Sequence, residues 1–300
     1  PPEPWEPLAF ALLASVTLSA LLAWYLARPV KGLRDAFAAM AEGRLETRVG
    51  GLMRRGDEFS ELGHSFDRMA EKLQTLILAQ RRLLHDVSHE LRSPLGRLQV
   101  ALGIVRQDPA RLDGALARME REVERLDGLI GEILTLSRLN SGVEGEPLEL
   151  ADVGEMVAAI VHDARFEAIE KGCEVRLTEL ARVHVTGRPR LISRAAENVI
   201  RNALRFAPPG SAVDVEVGFS EGFAVIRIRD HGPGIPEDEL AAVFEPFHRG
   251  RVNGDSSGFG LGLAIARGAA ELHGGSIIAR NMPDGGLSVE IRLPSGDAVQ

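Results

Sequence analysis

The sequence predicts a multidomain chain: a membrane-crossing helix, an all-α region that pairs with a second copy as a four-helix bundle, and a C-terminal α/β domain. Three observations carry this expectation. A run without charge, Leu8 to Ala27, lies near the start. Helix-period apolar stripes follow as far as about residue 140. Beyond a Gly/Glu/Pro-rich stretch, Ser141 to Pro147, the period changes to alternation.

The composition, 45% hydrophobic and 26% charged, supplies enough apolar material for packed cores and excludes a disordered or collagen-like chain. Thirty-five Lys and Arg against forty-three Asp and Glu leave a net charge of −8. That excludes a nucleic-acid binder driven by bulk positive charge. The single cysteine, Cys173, excludes an intramolecular disulfide and any CxxC metal site.

At about 1.5 Å per residue, Leu8 to Ala27 reaches roughly the 30 Å of a bilayer core. Trp5 precedes the run, and Trp24 and Tyr25 stand near its end, where aromatic belts lie. Glu3 and Glu6 come before it, whereas Arg28, Lys31 and Arg34 follow. The C-terminal side is therefore expected in the cytoplasm. A cleaved signal peptide would need a basic flank where this one is acidic. Residues 1–27 are read as the membrane segment. The opening on Pro1 suggests a fragment that lacks an upstream portion.

Residues 28–79 read as helix, connector and helix. The break, Glu42 to Asp57, is rich in Gly and Arg. Apolar residues then resume at helical spacing with Phe59, Leu62, Phe66, Met69 and Leu73. Residues 80–140 carry two further stripes. The first is Leu84, Val87, Leu91, Leu95, Leu98, Leu102 and Val105. After Asp108-Pro109 comes a heptad seam of Met119, Val123, Leu126, Ile130 and Ile133. A hairpin of two striped helices cannot bury both stripes alone. A second copy can cover them, so a homodimer is expected.

In residues 146–294, alternation marks strands at Val213–Val217, Ala224–Ile228 and Leu287–Leu293. Helices are expected near Leu150–Lys171, Leu191–Phe206 and Leu263–Leu272. Mixed elements after an all-helical half indicate a separate α/β domain.

His89 lies two residues past Val87, about 200° round the helix from the apolar stripe, and should face solvent. His85 shares its face, but the pair lacks a third ligand and the His-Glu-x-x-His pattern of zinc proteases. An exposed imidazole, mostly neutral near pH 7, is a competent nucleophile. Glu90 beside it could orient the ring or take its second N–H proton. Pro94 would bend the helix just beyond the site.

Asn198 and Asn202 share a helix face, and two amide oxygens can serve a hard cation such as Mg²⁺. Asp230-His-Gly232-Pro-Gly234 follows a strand directly, giving an acceptor at the strand end and glycines that let a ligand approach. Gly258-Phe-Gly260-Leu261-Gly262 then runs into a helix, the form of a phosphate cradle. It matches neither a Walker A loop nor a Rossmann turn.

The stretch from His85 through His89, Glu90, Ser93 and Pro94 resembles the phosphoacceptor box of bacterial sensor histidine kinases. The later motifs, in order, resemble the N, G1, F and G2 boxes of that family's ATP-binding domain, an α/β sandwich of the Bergerat (GHKL) type related to gyrase and Hsp90. The segment after the membrane run resembles a HAMP signal-relay module. The likeness covers about residues 28–294, and its wording around Asn202 most resembles Cpx-type envelope-stress kinases.

This resemblance implies that His89 accepts phosphate from ATP and passes it to an aspartate on a response regulator. It implies Asn202 as the Mg²⁺ ligand with Asn198 as its helper, and Asp230 as acceptor for the adenine amino group. Gly232 and Gly234 would shape the pocket, and Gly258, Gly260, Leu261 and Gly262 would line the phosphate side. Phe244 and Phe247 would mark the F box and 249–257 the lid. Arg205 and Phe206 stand where Lys and Tyr are common. Ser93 replaces the usual Thr or Asn of a position linked to regulator phosphatase activity, and keeps a hydroxyl that can position water. The gyrase and Hsp90 relatives carry a water-activating Glu where this chain has Asn198. A site without that base suits transfer to protein better than hydrolysis. The implied location is the bacterial inner membrane with the kinase domains in the cytoplasm. An ATP-binding adaptor and a gyrase-type ATPase are the rival readings.

Overall fold

The computed structural model describes residues 6–50, 58–108, 111–141, 147–250 and 258–296. Trp5, the connector end at 51–57, Pro109, linker residues 142–146 and lid residues 251–257 lie outside them. The chain divides into two compact units between His85 and Asp86.

In the first unit, α1 (Glu6–Ala41) carries the uncharged run past Pro29 without a break. Its apolar side chains from Leu8 to Leu26 are all exposed. By length and composition this helix is long and apolar enough to cross a membrane. The connector is held by one carboxylate. Asp67 accepts from the Val49 and Gly50 N–H groups at 2.8 and 2.9 Å. Val49 is thereby seated in a small core with Ala36, Phe66 and Ala70. The ring of Phe37 meets Phe66 edge-on at 4.9 Å. Leu62, Met69 and Leu73 of the predicted stripe remain exposed.

One helix, α2 (Glu58–Gln107), runs through the expected 79/80 boundary. In the second unit its continuation turns at Asp108 into α3 (Leu112–Ser141). The predicted seam is only partly covered, with Val123 and Ile130 exposed beside Leu84, Leu95 and Leu102. Leu129 and Leu136, outside that seam, are buried. So α3 carries a second stripe about 100° from the first, and it packs on the C-terminal domain.

That domain contains β1 (Glu149–Asp152), α4 (Val153–Glu170), β2 (Glu174–Leu180), β3 (His184–Gly187) and α5 (Pro189–Phe206). It continues with β4 (Ala212–Ser220), β5 (Phe223–Arg229), α6 (Gly262–Leu272), β6 (Ser276–Asn281) and β7 (Leu287–Pro294). The main sheet has the order β2-β4-β5-β7-β6, parallel only between β2 and β4. One correction concerns Leu150 to Asp152. These residues were expected to open a helix and instead pair with β3. The helix starts at Val153 because Asp152 caps it, accepting from the Gly154 and Glu155 N–H groups.

The sheet's inner face, with Val215, Ile226 and Ile291, is fully buried beneath the helices. Its outer face is charged and internally paired: Arg227 bridges Glu216 at 2.9 Å and Glu290 at 2.8 Å. Two layers, helix on sheet, make the expected sandwich.

Candidate active site

α5 begins on Pro189, which fits a first helical turn because its missing N–H would have no partner there. Its apolar face, including Ile192, Val199, Ile200 and Leu204, is buried. This leaves Asn198 and Asn202 on the flank that lines a cavity of about 370 Å³. Arg205, Phe206, Asp230, Gly234, Gly258, Gly260 and Gly262 line the same cavity. Gly232 and Leu261 do not. Leu261 is fully buried in the core, so it can offer a ligand only its backbone.

Asp230, at the end of β5, is only 4% exposed. Its Oδ1 accepts from the Gly232 N–H at 2.8 Å and the Leu287 N–H at 3.2 Å. Oδ2 is left as the acceptor for a ligand. Burial pushes this carboxyl above its ordinary value, and the two backbone bonds only partly oppose it. Gly286, with φ of 92°, closes the wall behind it; a Cβ there would strike the Asp230 carbonyl.

The phosphate side is built from backbone. Gly260 has φ of 72°, and a Cβ there would approach the His248 carbonyl oxygen to 2.6 Å. Its carbonyl accepts from the N–H of Phe247, which itself has φ of 61°, an uncommon conformation for a bulky residue. Leu261, the N-cap of α6, supplies no side-chain cap, so the first N–H groups of that helix remain open to an anion. Arg205 stacks on Phe206 with 5.4 Å between guanidinium and ring centre. Burial, then the charges of Arg249 and Arg125, push the Arg205 guanidinium down, which marks a strongly positive rim.

Asn198 Nδ2 is closed off from solvent and has no hydrogen-bond partner among the described residues. A phosphate oxygen suits such a donor, and the Asn oxygens suit a hard cation, so ATP with Mg²⁺ fits these residues. Glu197 is occupied with Arg201 at 3.1 Å.

Sequence reasoning missed Glu132. This residue of α3 lines the cavity, and its Oε2 is shut from solvent without a partner among the described residues. Burial raises its pKa against the pull of Arg194 and Arg201. The available signal was a carboxylate beside the apolar seam.

On α2, His89 is exposed, as its position off the stripe requires. Glu90 accepts from Arg249 Nη2 at 2.5 Å. Ser93, one turn beyond His89, is exposed and accepts from Arg97.

A glycine-bound, helix-capped nucleotide cavity on a helix-over-sheet sandwich, behind a helical hairpin with an exposed histidine, defines a histidine-kinase type of protein. Comparison with known proteins agrees. Residues 187–297 match the histidine kinase-, DNA gyrase B- and HSP90-like ATPase family. Residues 79–142 match the His kinase A phospho-acceptor domain, and residues 21–75 the HAMP domain. The sensor protein CutS of Streptomyces coelicolor is 38% identical over 245 residues, covering 79% of this chain and 58% of its own. The sensor histidine kinase CpxA of Escherichia coli is 35% identical over 292 residues, covering 96% and 62%. The chain thus spans about 60% of the length of these relatives. The Acinetobacter baumannii histidine kinase AdeS shares the fold, with a TM-score of 0.56 at 24% identity, covering 70% of this chain and 98% of that one. The chain belongs to the sensor histidine kinases.

Proposed function

We propose that this chain is a homodimeric, membrane-anchored kinase that phosphorylates its own His89 from ATP and passes the phosphoryl group to an aspartate of a response regulator. The observation that carries this reading is the Glu90–Arg249 bond. It joins the carboxylate beside the exposed His89 to a residue that lines the nucleotide cavity.

Asp230 would select adenine through its free oxygen. Asn198, the Gly258–Gly262 backbone and the start of α6 would hold the triphosphate. Asn202 would hold Mg²⁺, which supplies charge neutralisation on the phosphates when bound. In the transfer, an imidazole nitrogen of His89 bonds to the γ-phosphorus as the bond to the β,γ-bridging oxygen breaks. The ring proton passes to Glu90. Positioning and charge do most of the work. Ser93 lies on the same helix face as His89, and its hydroxyl would hold water for a phosphatase reaction on the regulator.

The exposed Val123 and Ile130, with an unfilled groove between α2 and α3 lined by Leu98, Ala101 and Met119, support pairing with a second copy. The uncovered α1, followed by Arg28, Lys31 and Arg34, supports anchorage in a bacterial inner membrane with the kinase domains in the cytoplasm.

Incubation with γ-labelled ATP tests the reading. Acid-labile label on the chain, absent from His89→Gln and retained in His85→Gln, is expected. Nucleotide binding without label would mean an adaptor, and free phosphate without label would mean an ATPase.

A further inference from the structure

Ser93 is held from outside its own side chain. Arg97, one turn along α2, donates from Nη1 to Ser93 Oγ at 2.7 Å. The same guanidinium is fixed by Glu122 of α3, Nε to Oε1 at 2.6 Å and Nη2 to Oε2 at 2.8 Å. A two-pronged pair of this kind fixes the plane and direction of the fork as well as its position. The bond to Arg97 holds the Glu122 carboxyl below its ordinary value, so Glu122 remains an anion wherever the reaction runs near neutrality. The three residues form a bridge from one helix of the hairpin to the other, ending on the hydroxyl.

A serine side chain turns among three staggered positions, whereas the methyl group of threonine stiffens χ1. Arg97 supplies to Ser93 the restriction that its own side chain lacks. The guanidinium also takes one lone pair of Oγ. This leaves the O–H and the other lone pair free to meet a water molecule in a set direction.

We infer that Arg97, anchored by Glu122, is the positioning residue that aims the Ser93 hydroxyl for hydrolysis of the regulator's aspartyl phosphate; this rests on the phosphatase reading of Ser93. In that step the water oxygen bonds to phosphorus and the P–O bond to the aspartate breaks. The carboxylate leaves with the electron pair, and the water proton passes to solvent, giving inorganic phosphate. Arg97 touches neither the water nor the phosphoryl group and acts through Ser93 alone. Autophosphorylation of His89 does not use it.

The test uses the full chain in detergent, with the regulator that the parent chain labels fastest, isolated in its phosphorylated form. Release of phosphate from this regulator and self-labelling by ATP are timed for the parent, Ser93→Ala, Arg97→Gln, and Arg97→Gln combined with Ser93→Thr. Arg97→Gln is expected to slow release roughly tenfold, the scale of one misdirected hydrogen bond, with self-labelling unchanged. Adding Ser93→Thr should restore most of the loss, because threonine stiffens itself. If Ser93→Ala abolishes release while Arg97→Gln releases phosphate as fast as the parent, the positioning role is overturned and the reading of Ser93 stands. If Ser93→Ala releases phosphate as fast as the parent, the reading of Ser93 falls and Arg97 with it. If Arg97→Gln loses both activities and threonine restores neither, Arg97 is merely structural and the inference is wrong.

Discussion

Glu90 and Arg249 lie 159 positions apart in the chain and share a hydrogen bond of 2.5 Å. Arg249 lines the nucleotide cavity, so the pair joins the helix that carries His89 to the nucleotide site. In the proposed transfer Glu90 accepts the imidazole proton, and Glu90→Gln removes that capacity while keeping the shape. Self-labelling should slow by about 100-fold or more, the low end of general-base contributions, with ATP affinity unchanged. An unchanged labelling rate would leave Glu90 as an ion-pair partner only.

Asp230 should trade stability for binding. Its folded pKa is raised by burial, so its favourable contribution is complete below the ordinary carboxylate range and lost as pH rises through the folded value. At pH 7 the buried charge is a cost. Asp230→Asn keeps an acceptor for Gly232 and Leu287 and removes the charge. Melting of residues 80–300 without nucleotide should shift upward at pH 7, by about 2–4 °C for each kcal/mol relieved, and not at pH 3. ATP affinity should fall, since the amide offers a donor where adenine needs an acceptor. A variant that melts no higher at pH 7, or binds ATP as the parent does, would contradict the assignment.

Glu132 places a carboxylate at a cavity shaped for a triphosphate. Glu132→Gln should tighten ATP binding, on the order of fivefold near neutrality for one like charge at partial screening. Because burial raises the Glu132 pKa, the parent loses its disadvantage as pH falls. The gap between parent and variant should narrow from pH 8 towards pH 5. Titration with a fluorescent nucleotide measures it, and equal affinities at every pH would mean that Glu132 does not face the phosphates.

Much of the C-terminal domain could be read from residue order. Val213 to Val217, Ala224 to Ile228 and Leu287 to Leu293 alternate because one sheet face packs under helices and the other faces water. Asp230, Asn198 and Asn202 announced themselves as polar residues at strand ends and on a helix flank. β1 was read as helix because its alternation spans only four residues and the true signal, the Asp152 cap, lies inside it. Arg97 carries no local sign of its role, and Glu132 carries only its place beside the apolar seam. Each becomes meaningful only when another helix or domain is brought to it, and no local pattern encodes that meeting. The second stripe of α3 was hidden for the same reason: Leu129 and Leu136 are buried off the heptad, on a helix that packs against α6.

Ile130 is 48% exposed in a single copy, although it sits mid-seam. Covering a side chain of its size contributes about 1.5–3 kcal/mol. Ile130→Glu should therefore split a dimer of residues 80–300 at micromolar concentration, as read by sedimentation. ATP should still bind, because the nucleotide domain has its own core. A variant that remains dimeric would count against the four-helix bundle.

In the first unit, Asp67→Ala strands the Val49 and Gly50 N–H groups, each worth roughly 1–3 kcal/mol when buried and unmet. Amide exchange at residues 42–50 should accelerate without change in α6. Protection equal to the parent's would mean that packing of Val49 alone holds the connector.

The Phe247–Gly260 hydrogen bond ties the glycine-rich segment at its neck. Once the neck is tied, the number of residues strung between its ends matters little to the fold, since doubling such a span costs only about 0.6 kcal/mol in closure entropy. Insertions and deletions can accumulate there while the floor of the cavity remains in register.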